Sequence, residues 1–272
     1  MAKGKAKVNY LGRSGVVMPQ TVPSWDFIYE KSTVKSEKYN VGDRVVMPDG
    51  RVFRYCKSVG ACYTGQLNKF QSVFSTTSGI DYSALAEGAA IGAKSILMTN
   101  QGVIAQTEDC MRGGWIEIKT ANTDAAGNQS GMQRMIIGNT ADASVAMTGE
   151  VRIYLDAPLD QAVTTSSYAF SIGNPWNAVS ADIEPTNSCC GVAAVYVSAS
   201  GYYHWEQTWG LCFVTDTNAT LGKVDAERQL VANQQGSVAP HDAGCTEQHV
   251  GFIVNDNASA DGMGLIMLQI CP

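Results

Sequence analysis

Residues 191–214, GVAAVYVSASGYYHWEQTWGLCFV, constrain the fold of this chain more than any other stretch. They open with β-branched Val192, Val195 and Val197 and turn through 198–201. They return as Tyr203, Trp205, Gln207 and Trp209, interleaved with His204, Glu206 and Thr208. An alternation of period two sets the large aromatics on one face of a strand and the polar set on the other. Two such runs around a short Gly/Ser turn read as a β-hairpin. Two tryptophans and a tyrosine on one face need a large apolar surface opposite them, so this hairpin is expected at the centre of the main β core.

The same signals recur along the chain. Residues 39–56 place Val45 and Val46 before Pro48-Asp49-Gly50, a tripeptide suited to a tight turn, and Val52, Phe53 and Tyr55 after it. Further strands are expected at 95–99, 115–119, 132–138, 150–155, 167–172, 250–254 and 265–270, with a turn at Asn174-Pro175-Trp176. Ala-rich residues 83–93 suggest one short helix, weakened by Gly88 and Gly92. Short strands split by Gly, Pro and Asn predict a mainly β chain: an antiparallel β-sandwich or barrel-like domains, one short helix and an extended N-terminal arm. The expected division is an arm at 1–38, a small hairpin and short-helix region at 39–100, and a main β domain at 101–272.

Charge sets the arm apart. Residues 1–38 hold seven Lys/Arg against three acids, a net +4, so the remainder carries −10 of a total of −6. A basic, Pro-punctuated segment with few aromatics buries itself poorly. It is either a disordered end or an arm that orders on a neighbouring subunit. The expected partner-binding residues are Lys3, Lys5, Lys7, Arg13, Trp25, Phe27 and Tyr29, with Trp25 and Phe27 as anchors. The acidic total argues against general nucleic-acid binding, leaving at most a weak contact through the arm. Only 16% of residues are charged, below the usual quarter, which suits surfaces covered by neighbours. No apolar run has the length of a membrane span, and the first residues have no hydrophobic signal segment, so no membrane partner and a cytoplasmic site of assembly are expected. In that reducing setting the eight cysteines read as buried thiols.

No catalytic or cofactor-binding constellation stands out, and neither a catalytic residue, a metal nor a cofactor is expected. His241, Cys245 and His249 share a ligand-like spacing, but Asp242-Ala243-Gly244 between them reads as a turn. Adjacent Cys189 and Cys190 lack a nucleophile motif and read as buried thiols at the start of a core strand. Asp156 and Asp160 bracket Pro158 as a solvated turn would. The five tryptophans could stack on sugars, but most sit in alternating strands and are assigned to the core.

From about residue 39 onward, several pieces carry a resemblance: YNVGDRVVMPDGRVFRYCKS, GQLNKF, AAIGAKSILMT, CMRGGWIEI, EVRIYLDAPLDQAVTTSSYAFSIGNPWNAV, GVAAVYVSASGYYHWEQTWG and a final VGFIVND…GLIMLQI. In this order they resemble a family of tailed-phage virion structural proteins; NPWNAV and YYHWEQTWG are the most specific. The chain departs from that pattern at Glu206 and in its number of cysteines. The resemblance implies a virion component on the capsid and no enzymatic activity. The function expected is a capsid decoration or cement protein, with the major capsid protein and copies of itself as partners. The alternatives are a tail or head-fibre subunit and, from other classes, a carbohydrate-binding module or a Cys-dependent hydrolase.

Overall fold

The computed structural model describes residues 6–10, 13–17, 25–70, 80–100, 107–123, 129–142, 149–181, 188–215, 228–241, 247–255 and 263–272. In chain order the strands are β1 (Ala6–Tyr10), β2 (Arg13–Val17), β3 (Arg44–Val46), β4 (Val52–Lys57), β5 (Leu67–Phe70) and β6 (Ile80–Ala84). Then come β7 (Ser95–Asn100), β8 (Trp115–Thr123), β9 (Gln129–Asn139), β10 (Gly149–Leu155), β11 (Tyr168–Ile172) and β12 (Val179–Ser180). The last are β13 (Cys189–Ala193), β14 (Tyr203–Thr215), β15 (Gln229–Ala232), β16 (Val238–Pro240), β17 (His249–Asn255) and β18 (Met263–Gln269). Strands make up 52% and helices 5%, so the fold is mainly β, as the turn-punctuated sequence predicts. No described helix is long and apolar enough to cross a membrane.

Two compact units result: Met1–Gln71 with Trp176–Pro272, and Ser72–Pro175. This partition cuts across the 1–38, 39–100 and 101–272 segments read from the sequence. The first unit is discontinuous, and long-range strand pairing of this kind leaves no local composition shift to read.

In the first unit the sheet runs β1-β2-β3-β4-β14-β18-β17-β15-β16, with β13 pairing both β14 and β5, and β12 pairing β5. Its longest strand, β14, pairs β4 from Tyr203 to Trp209 and β18 from Trp209 to Thr215. Its pairing with β13 puts Val192 opposite Gln207 and Ala193 opposite Glu206, so the expected hairpin partners are correct. The link between them is longer than the predicted turn, because Val197 leaves the sheet and bridges to Cys62. Around β4 and β14 both faces are covered. Tyr55 and Trp205, opposite each other, join Ile28, Val45, Met47 and Phe53 in an aromatic core. The intervening Cys56 belongs to a second cluster with Cys62, Val179, Cys190, Ala193 and Val197. A third cluster lies among β14, β15, β17 and β18.

Residues 25–38 are part of this unit. Ile28 is fully buried, and Phe27 sits 5.7 Å from Trp205 in an edge-on contact. Ser32 exchanges backbone hydrogen bonds with Tyr203. An arm boundary at 38 is therefore corrected: apolar contacts far along the sequence, invisible to composition, hold this segment to the sheet.

The second unit is a six-stranded sheet ordered β6-β11-β8-β9-β10-β7. Its ends meet again at the Leu85–Met98 bridge, giving a nearly closed barrel. Leu85, Ile96, Met98, Ile116, Ile118, Ile136, Val151 and Ile153 fill the interior. The expected helix at 83–93 is absent: Ser83 and Leu85 are buried with the half-buried Ala84 between them, a strand's alternation, and turns follow. Tertiary pairing overrides the alanine propensity there. Trp115, assigned from sequence to the core, is 56% exposed, because Ile116 and Ile118 take the inward positions of β8.

Candidate functional site

The polar half of β14 is sealed inside the first unit. His204 and Glu206, two residues apart, share one face of the strand, and Cys56 stands opposite His204 on β4. His204, Glu206, Thr208, Asn68 and Cys62 all have zero exposure. The Glu206 carboxylate accepts a hydrogen bond from His204 Nε2 at 2.8 Å, and Asn68 Nδ2 reaches its two oxygens at 3.1 and 3.2 Å. Asn68 is brought in by β5, where it pairs with Gly191 of β13. Gly191 is needed there, since a Cβ would lie 2.6 Å from the Gln207 carbonyl oxygen. Cys62 is fixed by reciprocal backbone hydrogen bonds with Val197, both 2.9 Å. Ligand atoms of Cys62, His204 and Glu206 all lie within 4.8 Å of one another.

The thiols of this region are not poised as nucleophiles. Burial, and then the nearby charge of Glu206, push the Cys56, Cys62 and Cys190 thiols up. A Cys–His–acid hydrolase needs one imidazole nitrogen on the thiol and the other on the acid. Here Nε2 is committed to Glu206, Nδ1 has no partner, and Cys62 Sγ donates weakly to the Val179 and Gly60 carbonyls, at 3.9 and 4.0 Å. A sealed site also admits no substrate. What the arrangement can do is hold charge or a small cation.

Farther along, the same sheet carries an apolar outer face. Leu211 opposes Met267, which opposes Phe252, and Phe213 opposes Leu265. Leu211 is 51% and Phe213 57% exposed, and Phe252 and Met263 are exposed as well. Beside them opens a cavity of about 490 Å³ lined by Tyr29, Arg51, Phe53, Gln207, Leu211 and Phe213 among others. Three adjacent strands thus present aromatic and aliphatic side chains to solvent, with the Cys212, Ile253 and Ile266 side packed inward.

The expected partner-binding residues divide. Trp25 and Phe27 pack against the chain's own aromatic core, and Tyr29 is exposed at the rim of the 490 Å³ cavity. Lys3 and Lys5 lie outside the described residues. Lys7 and Arg13 fall in β1 and β2, with their side chains outside what is described. Cys245 is also outside the described residues, and His249 begins strand β17, so His249 does not sit on a helical face as expected for the His241, Cys245 and His249 spacing. Asp156 accepts from the Met135 amide, and Asp160 lies 3.7 Å from Arg134, as members of an ordered turn. Cys189 and Cys190 are buried at the start of β13, as expected, and none of the described cysteines is in a disulfide. Sequence reasoning missed the Cys62–His204–Glu206 cluster. The only local signal was His-x-Glu on one strand face, and Cys62 joins it through a bridge between distant segments.

No protein-family model matches this chain, and neither the curated proteins nor the solved structures include a match to it.

Proposed function

We propose that the protein is a structural component of a bacteriophage virion. In this reading it is a decoration or cement protein that binds the major capsid protein and copies of itself, and it is assembled in the host cytoplasm. The observation that carries the proposal is the exposed apolar face of β14, β18 and β17. Solitary soluble proteins rarely leave such a contiguous patch open, and patches of this kind mark interaction sites. The low charge of the chain and its resemblance to tailed-phage virion proteins support the same reading. Among the described residues, the Cys62–His204–Glu206 cluster is sealed from solvent, which favours a binding role over catalysis.

The test is the number of copies per particle, measured by quantitative mass spectrometry of purified virions against the major capsid protein. A decoration protein is present in numbers that scale with the shell. A handful of copies points instead to a tail or fibre subunit, and absence from particles overturns the virion reading. Replacing Leu211 and Phe213 with Lys is expected to abolish attachment of the purified protein to shells that lack it, while leaving its unfolding midpoint near that of the unmodified chain. Undiminished attachment overturns the assignment of this face.

A further inference from the structure

We infer that the buried Cys62–His204–Glu206 cluster is a structural zinc site, closed by the fold around a single divalent ion. The ligands are the Cys62 sulfur, an imidazole nitrogen of His204 and the Glu206 carboxylate, drawn from two segments that no local motif connects.

Charge balance is the first reason. Glu206 is fully buried, and removing a carboxylate from water is costly unless its charge is met. Arg54 stands opposite Glu206 in register, but its guanidinium goes to the Gly42 carbonyl at 3.1 Å and the Cys271 sulfur at 3.3 Å. A divalent cation with one thiolate, one carboxylate and one neutral imidazole sums to zero. On binding, the Cys62 thiol gives up its proton to solvent, Glu206 binds as its carboxylate, and His204 binds through a ring nitrogen that carries no proton. One proton is released per ion.

Unspent ligand atoms are the second. His204 Nδ1 and Asn68 Oδ1 are buried with no partner, a lone pair and a carbonyl oxygen of the kinds that bind zinc. Rotation of the Asn68 amide, which now donates to Glu206, brings a neutral fourth oxygen toward the cluster without disturbing its charge.

Ligand chemistry and reach are the third. Sulfur with imidazole selects zinc and disfavours magnesium and calcium. Zinc bonds of about 2.0–2.3 Å set tetrahedral ligand atoms roughly 3.3–3.8 Å apart. Reaching that size needs only side-chain adjustment: separations of up to 4.8 Å shorten, and the 2.8 Å contact of His204 Nε2 with Glu206 opens. Zero exposure of all three residues makes this a closed site, loaded while the strands come together rather than through a channel.

The experiment uses the full chain, expressed with zinc in the medium and purified without chelator, with metal content read by elemental mass spectrometry. About one zinc per chain is expected, retained against EDTA in the folded protein and released on unfolding. Cys62→Ser, His204→Gln and Glu206→Gln should each lower the content at least tenfold, and His249→Gln should not. Because those variants can fail to fold, the unmodified chain is also unfolded, stripped and refolded with cobalt. A thiolate-to-cobalt charge-transfer band is then expected. A zinc-replete preparation with no bound metal, cobalt refolding with no such band, or zinc that survives in all three folded ligand variants overturns the assignment.

Discussion

Replacing Ile28 with Ala tests whether residues 25–38 are part of the body. Ile28 is fully buried against Val45, Met47, Phe53, Tyr55 and Trp205. The change removes three carbons, which at about 0.8 kcal/mol each amounts to roughly 2.4 kcal/mol of lost transfer free energy. The hole left beside rigid aromatic rings adds a cavity cost, bringing the expected loss to about 3–4 kcal/mol, within the usual range of about 2–5. Urea unfolding followed by tryptophan fluorescence is the suitable assay. Four of the five tryptophans (25, 176, 205 and 209) lie in the first unit, so the signal reports on the unit that holds Ile28. The midpoint should fall with the slope unchanged. Val34→Ala, at a position 73% exposed, serves as the control and should stay within about 0.5 kcal/mol. Removing 1–38 altogether should abolish the cooperative fluorescence transition. A loss below about 1 kcal/mol for Ile28→Ala, or a cooperative transition preserved without 1–38, would refute the reasoning and restore a detachable arm.

Gly210 has φ +96°, and a Cβ there would come within 2.9 Å of the Arg51 Cα; Gly210→Ala should cost at least about 1–3 kcal/mol in the same assay. Burial raises the Cys189 thiol from 9.0 to about 12. The folded state holds this proton where the unfolded chain has lost it, so stability is full below pH 9 and declines from there toward pH 12. The slope is about 1.4 kcal/mol per pH unit for this group. Urea titrations at stepped alkaline pH should show a shallower decline for Cys189→Ala, and an identical decline would contradict the assignment. In the second unit, Ile116→Ala should lower the thermal midpoint clearly, at a cost of about 2–5 kcal/mol. Trp115→Ala, next to it but facing outward, should change stability by less than about 1 kcal/mol in calorimetry.

Local rules carried far in this chain. Pro48-Asp49-Gly50 turns β3 into β4, and alternation located β10, β17 and β18 to within a residue or two, because each of those signals is contained in a few neighbouring positions. Failures came where distant pairing decides the outcome. Residues 83–93 look helical by alanine content, yet Leu85 and Met98 meet to close a barrel. β15 and β16 were not anticipated, since Leu230 and Ala232 are buried only through packing with distant residues such as Leu67, Val214, Val250 and Leu268. The alternation of β14 correctly separated His204, Glu206 and Thr208 from the aromatics. It could not show that this polar face is buried too, because Cys62 and Asn68, which cover it, arrive from more than a hundred residues earlier. The candidate site was therefore half legible: its strand was visible and its occupants were not.

The discontinuity of the first unit has a consequence during synthesis. Thr208 and Val52, neighbours across β14 and β4, are 156 positions apart in the chain. At about 5–20 residues per second, the ribosome needs roughly 8–30 s to deliver one after the other. The second unit, Ser72–Pro175, is continuous and is complete before β14 emerges. Throughout that interval Ile28, Phe53 and Tyr55 have no Trp205 to pack on, and β4 is an open edge able to pair with the same strand of a neighbouring nascent chain. Yield in the cell should therefore respond to elongation rate and to chaperones that shield apolar segments, even for variants whose finished fold is as stable as the original.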